Sequence, residues 1–362
     1  MGNAVALSSE TYLDHDQAAF MLDRMRDDHS ELGSVTPQSN GWAFPLHYGM
    51  VSAVRENRRI RLRVLADDET RLAYVKMEVA SHAAEILGST GGIRWSGQDD
   101  VGTVPAFFRE ITVLSTERIT PHLQRIRFAA RDLGRYASGG LHIRLLLPPA
   151  GREPVWPTIG ADGLLVWPGG EDSLTVRVYT IRAINVQTGV IDVDFVLHPG
   201  VVTPAAHFAE TATPGQVIGM IGPGGGDVPE ATNLLMLADD TGLPALSRIL
   251  ESLPQTSRAT VFLEVDGETD RLPLERPNVT ITWLYRAGCP AGTAGLLSAA
   301  LRGLDPQTLP DDLYVWAGCE FGDFREIRRI VRKDWGLGKD RQLIVSYWRR
   351  GVGGEDRPAA ED

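Results

Sequence analysis

The hydrophobic spacing of this chain changes character at the glycine cluster Gly222–Gly226, and that change constrains the fold more than any other feature. Upstream, from about Phe107, short stretches alternate apolar and polar residues: ITVLSTERIT, LQRIRFAA, HIRLLLPP, SLTVRVYTIRAI and GVIDVDFVLH. A period of two marks half-buried strands, and strands this short and evenly spaced suit a small antiparallel barrel. Downstream, the strand-like runs LLMLA, ATVFLEV, VTITWLY, DLYVWAG and QLIVSYW alternate with the helical runs LPALSRILESL, GLLSAALRGL and FREIRRIVRKDW. That order implies a parallel sheet covered by helices. The GPGGG run has no Lys-Ser/Thr after it, so it reads as a hinge between domains rather than a phosphate loop.

Residues 1–92 read as a separate small α/β module. Ala18, Ala19, Leu22 and Met25 recur at helical spacing, β-rich stretches follow around Trp42–Val54 and Ile60–Leu65, and Leu72, Val75, Val79 and Ile86 mark a second amphipathic helix. The glycine-rich break around Gly91–Gly102 reads as a linker. Residues 107–226 then form the barrel, 227–351 the sheet domain, and 352–362 a polar, disordered tail. The expected fold class is therefore α+β and multidomain.

Composition narrows the function. A net charge of −11 argues against nucleic acid as a partner, and any anionic ligand must be met by a local basic patch. The two cysteines, Cys289 and Cys319, are too few for a disulfide scaffold or a zinc cluster and suit a reducing cytoplasm. There is no run of about 18 apolar residues, so no membrane insertion is expected. The N-terminus lacks a basic segment followed by an apolar one, so no secretory signal is expected. His15, His29, His47 and His82 have no metal-ligand spacing.

Three local patterns carry chemistry. In SLTVRVYTIRAIN, Arg177 and Tyr179 share one strand face while Val176, Val178 and Thr180 face the other way, and an Arg beside an aromatic ring can bind phosphate and stack on a flat group. The next strand puts Asp192, Asp194 and His198 on one face. Each also reads as ordinary strand alternation. Thr203 is an N-cap candidate with Pro204 at the first helical position, and the small Ala205 and Ala206 leave the helix N-terminus open to phosphate; a plain capped helix fits as well. LLMLADDTGLPALSRIL gives strand, tight turn at Gly242 and helix, with Leu246, Ile249, Leu250 and Leu253 on the core face. Such a turn lies at the carboxyl edge of a parallel sheet, where open α/β folds bind ligands. There is no G-x-G-x-x-G.

The order of these pieces is specific. RVYTIR (Arg177–Arg182), DFVLHPG (Asp194–Gly200), TPAAHFA (Thr203–Ala209), ADDTGLPAL (Ala238–Leu246), YVWAGCE (Tyr314–Glu320) and SYWRRG (Ser346–Gly351) resemble, in the same order, pieces of the siderophore-interacting proteins, a branch of the ferredoxin-reductase superfamily that reduces ferric siderophores with FAD. Residues 107–351, about two thirds of the chain, resemble that family. The resemblance implies a six-stranded FAD-binding barrel followed by an NAD(P)H-binding sheet domain. It implies that Arg177, Val178, Tyr179 and Thr180 hold FAD, with His198 and Thr203, Pro204, Ala205 and Ala206 on its ribityl and pyrophosphate side. Asp240 and Thr241 would lie where the sheet meets the flavin, Tyr347 and Trp348 would close the site, and Tyr179, Thr180 and Trp348 would flank the reacting ring. Arg144 and Arg349 would help receive an anionic iron chelate.

Departures from the family pattern are visible. Phe208 replaces a tryptophan in the pyrophosphate helix, and Cys319 stands where a glycine is usual, either as a packed small residue or as a site residue. Residues 1–92 resemble a module of unknown role sometimes found before this family. The implied reaction passes electrons from NADH or NADPH through FAD to a ferric siderophore and releases Fe(II). Two other readings keep the flavin: a tailoring enzyme for an organic metabolite, and a flavin-binding sensor or interaction protein. Glu264 and Asp266 favour a ribose hydroxyl, Arg271 and Arg276 a 2′-phosphate, so the donor stays open.

Overall fold

The computed structural model describes residues 7–13, 18–28, 35–57, 59–90, 92–97, 100–197 and 203–352. The chain divides into two compact units, one of Met1–Phe108 with Gly151–Ser173, the other of Arg109–Ala150 with Leu174–Asp362.

The first unit contains β1 (Leu7–Leu13), α1 (Ala18–Asp28), β2 (Thr36–Gln38), β3 (Gly41–Leu46), β4 (Gly49–Glu56), β5 (Arg59–Ala66) and α2 (Glu69–Leu87). The strands form one antiparallel sheet in the order β1-β5-β4-β3-β2. Strict alternation in RIRLRVLA buries Ile60, Leu62 and Val64 on one face. Met21, Leu22 and Met25 from α1 and Val75, Val79, Ala80 and Ala83 from α2 complete that core. Asp68 caps α2 by accepting from Arg71 N at 2.8 Å, and Gly88 ends it in the left-handed region at φ 72°.

The glycine-rich stretch expected as a linker is built into this unit instead. Ile93 and Trp95 are buried in the same core as α2, because two apolar side chains among glycines still have more to gain from burial than the glycines lose in freedom. The segment 151–173 also belongs here. It carries β9 (Thr158–Ile159) and β10 (Leu165–Val166), counted after the barrel strands β6 (Phe108–Thr120), β7 (Leu123–Ala130) and β8 (His142–Leu147). Trp95 Nε1 donates to Asp162 O at 2.8 Å, and Gly102 N donates to Ile159 O at 2.9 Å. The sequence alone assigned these residues to the barrel.

In the second unit β11 (Thr175–Asn185), β12 (Val190–Val196), α3 (Pro204–Thr211) and β13 (Val217–Gly224) complete a closed six-stranded barrel in the order β11-β12-β7-β6-β13-β8. The sixth strand, VIGMIGPG, runs into the glycine cluster read as a hinge, so Gly222–Gly224 belong to the barrel wall. Inward-facing Ile143, Leu145, Ile181, Val193, Phe195 and Met220 fill the interior, and Phe208 of α3 plugs one end.

The parallel sheet follows, with β14 (Asn233–Ala238), α4 (Leu243–Ser252), β15 (Arg258–Val265), β16 (Val279–Tyr285), α5 (Leu296–Arg302), β17 (Leu313–Glu320), α6 (Phe321–Arg329) and β18 (Gln342–Trp348). The order β16-β15-β14-β17-β18 places the topological switch between β14 and β17. Leu246, Ile249, Leu250 and Leu253 are the buried face of α4, as the spacing predicts. Barrel and sheet are joined by side chains. Arg182 pairs with Glu251 through both carboxylate oxygens at 2.9 and 2.6 Å, and Arg248 Nη1 reaches Ile181 O at 3.0 Å.

Candidate functional site

The alternation in β11 and β8 sorts the barrel residues into two faces. The strands pair with Val178 opposite Arg144, Tyr179 opposite Ile143 and Thr180 opposite His142. Tyr179 packs its ring on Phe195 at 4.3 Å between centroids, and Phe195 packs on Phe208 at 5.9 Å. This row links Tyr179 to the helix that Thr203 caps by accepting from Ala206 N at 3.2 Å. Arg177, half-buried, shares this face and donates to Val176 O at 2.8 Å. Burial raises the Tyr179 hydroxyl pKa, so it stays protonated. Ala205 points into the barrel core, which leaves Pro204 and Ala206 as the accessible part of that turn. His198 lies outside the described residues.

The opposite face carries Val178, Thr180, His142 and Arg144. Thr180 is buried, Arg144 is exposed, and Val178 is 55% exposed although apolar. His142 was not singled out from sequence. Its Nδ1 donates to Gly225 O at 3.1 Å, which leaves Nε2 as an acceptor, and Nε2 is buried without a partner. Burial lowers the ring's pKa to about 4, so the imidazole is neutral near pH 7. The ring also meets Tyr347 edge-on at 5.1 Å. An exposed apolar strand surface beside an orphaned buried acceptor is what a flat, amphipathic ring would cover. The residues present therefore fit a flavin.

At the carboxyl edge of the sheet, Asp239 is the organising acceptor. It takes hydrogen bonds from Thr241 N at 2.8 Å, Glu320 N at 2.9 Å and Trp348 Nε1 at 2.8 Å. Gly242 allows α4 to start against β17, since a Cβ there would lie 2.1 Å from Gly318 O. Asp240 turns inward to Arg286, 2.7 Å away, and Arg286 also lies 3.8 Å from Glu264. Burial holds Asp240 at about 6 despite that arginine, and burial with Asp323 and Asp239 nearby raises Glu264 to about 7. Glu264 is thus an internal carboxyl enclosed with Arg286, which removes it from the residues the sequence left open as partners of a ribose hydroxyl. Arg276 donates to the carbonyls of Leu253 and Pro254, and Arg271 lies over the Trp283 ring at 5.7 Å.

Other candidates resolve in the same way. Cys319 is fully buried among Val315, Ala317 and Ile344, and burial pushes its thiol pKa well up, so it is a packed residue. Asp192 and Asp194 face Arg127 and Arg125 across the strands in two-pronged pairs at 2.7–2.9 Å and act within the barrel wall. Arg144 stands on the barrel and Arg349 lies over the Phe321 ring at 4.7 Å on the sheet domain.

Comparison with known proteins agrees with this architecture. Residues 112–227 match the siderophore-interacting FAD-binding domain, and residues 231–351 match the siderophore-interacting protein family. The chain is 30% identical over 238 residues to the ferric vibriobactin reductase of Vibrio cholerae, covering 64% of this chain and 86% of the relative. It is 30% identical over 253 residues to the ferric acinetobactin reductase of Acinetobacter baumannii, covering 67% and 79%. The crystal structure of a siderophore utilization protein from T. fusca superposes with a TM-score of 0.60 at 32% identity, covering 68% of this chain and 94% of that one. With the barrel, the sheet and these matches together, the chain belongs to the siderophore-interacting protein family and carries its FAD-binding domain.

Proposed function

We propose that this protein is an FAD-dependent oxidoreductase that passes electrons from NAD(P)H to a ferric siderophore and so releases Fe(II). The observation that carries the reading is the outer face of β8 and β11, where exposed Val178, buried Thr180 and the unpartnered Nε2 of His142 meet beside Tyr347. The relatives named as ferric reductases support the substrate class.

Bound FAD supplies the conversion of one hydride from NAD(P)H into two single-electron deliveries to Fe(III). The chain's own residues bind and orient. Arg177 offers a fixed positive charge to phosphate, with Thr203, Pro204 and Ala206 presenting the α3 terminus beside it. Neutral His142 accepts from a ring N–H, and Thr180 lies next to it across the strand pair. Tyr347 and Trp348 bound the site from β18, and Asp239 fixes Trp348. Arg144 and Arg349 attract an anionic chelate against the charge of −11 on the whole chain.

Among the described residues no helix is long and apolar enough to cross a membrane. We place the reaction in the cytoplasm, where two unpaired thiols stay reduced. The test is anaerobic. NAD(P)H should bleach the oxidised-flavin band of the purified protein, and a ferric siderophore should restore it with Fe(II) trapped by a chromogenic chelator. Bleaching without reoxidation by any ferric chelate would move the assignment to an organic acceptor.

A further inference from the structure

The α6 segment carries an unbalanced positive charge that the reading above does not use. A groove of about 640 Å³ runs along it, lined by Phe321, Phe324, Arg325, Arg328 and Lys333 among others. Some of its cations are neutralised: Glu326 pairs with Arg302 and Arg329, and Arg329 also meets Asp334 at 2.9 Å. Arg325, Arg328, Lys333 and Arg349 are exposed and have no carboxylate partner among the described residues. The phenyl rings of Phe321 and Phe324 stack at 5.9 Å. Arg349 and Arg325 lie over Phe321 at 4.7 and 5.9 Å, and Arg328 lies over Phe324 at 5.5 Å. Three arginines gathered on one aromatic pair, with Lys333 lining the same groove, in a chain of net charge −11, are held together against their own repulsion.

We propose that Arg325, Arg328 and Lys333 bind the phosphates of the electron donor and select NADPH over NADH. The proposal rests on the nicotinamide-driven reading above. Three observations favour a dinucleotide as the occupant. First, α6 begins where β17 ends, beside the switch between β14 and β17 at which such folds take nucleotides. Second, the β14–α4 turn on the other side of the switch is Asp239-Asp240 with no phosphate-cradling glycine pattern, so it repels phosphate and the cations must come from the α6 side. Third, the other determinants are already engaged, since Glu264 is buried on Arg286, Arg276 holds the carbonyls of Leu253 and Pro254, and Arg271 lies on Trp283. Planar guanidiniums on aromatic rings also offer a stacking surface to an adenine, as a lysine cluster would not.

The experiment uses the full chain with FAD bound and measures the binding of adenosine 2′,5′-bisphosphate and 5′-AMP by calorimetry at several salt concentrations. The bisphosphate should bind at least about tenfold more tightly, because a charge-assisted contact to phosphate is of that order, and the preference should shrink with salt. Arg328→Glu and Arg325→Glu should each weaken bisphosphate binding by about tenfold or more, and Arg328→Lys should restore part of it. Both positions are exposed, so unchanged melting temperatures serve as the folding control. Equal binding of the two nucleotides, or variants that match wild type, would overturn the proposal. So would variants that lose affinity for a ferric chelate while keeping the bisphosphate. Reoxidation of dithionite-reduced protein by a ferric chelate reports on the reductase reading separately.

Discussion

Trp348, the last residue of β18, donates its indole N–H to Oδ2 of Asp239 at 2.8 Å, and so ties the C-terminal strand to the end of β14. Asp239 keeps other donors at Thr241 N and Glu320 N. Trp348→Phe therefore removes one bond to a buried carboxylate without orphaning it. We expect a loss of about 1.5–3 kcal/mol in urea unfolding of the flavin-free protein. An unchanged midpoint would show that the bond has no part in holding β18.

Arg177→Ala should lose FAD. A charged hydrogen bond to phosphate is worth about 1.5–3 kcal/mol, or roughly 10- to 150-fold in Kd. Equilibrium dialysis of reconstituted protein measures it, and full retention by the variant would remove Arg177 from the phosphate site.

Glu264 gives a pH prediction. Burial, with Asp323 and Asp239 close by, raises its folded pKa to about 7 from an unfolded value near 4.5. The unfolded chain thus releases this proton first as pH rises. The stability that the protonated carboxyl contributes is complete below about 4.5 and is lost as pH climbs through 7. Glu264→Gln should remove that decline and gain on the order of 2–3 kcal/mol relative to wild type above pH 7, with little difference below pH 4.5. Arg286 would retain Asp240, 2.7 Å away in the wild-type structure, as its partner. Parallel stability curves for the two proteins would contradict the assignment.

Trp95→Phe should loosen residues 151–173 selectively. It removes the bond from Trp95 Nε1 to Asp162 O while keeping an aromatic ring in the core. The cost should be about 1 kcal/mol. Limited proteolysis should then cut within 151–173 before it cuts the barrel, and an unchanged cleavage pattern would count against this anchoring role.

Much of the fold was legible because its signals are local. The period of two in HIRLLLPP and the strand–helix alternation after Asn233 are written in consecutive residues, and Leu246, Ile249 and Leu250 fall where their spacing puts them. The features that were missed depend on partners distant in sequence. Ile93 and Trp95 look like part of a linker until α2 and β5 fold against them. Residues 151–173 lie between two barrel strands, and distant partners such as Trp95 and Gly102 show where they pack. At the site, Arg177 and Tyr179 were visible as a strand face, whereas His142 emerged only when register set it opposite Thr180. The enclosure of Glu264 was not legible, because nothing nearby in sequence announces Arg286.

The central claim is that electrons pass from a nicotinamide donor through FAD to chelated Fe(III). The most direct measurement is anaerobic stopped-flow spectroscopy of the full chain. NADPH should bleach the flavin band, and mixing the reduced protein with a ferric siderophore should return it with two Fe(II) formed per flavin. A protein that purifies without FAD and does not take it up, or a reduced flavin that ferric siderophores leave reduced, would contradict the account.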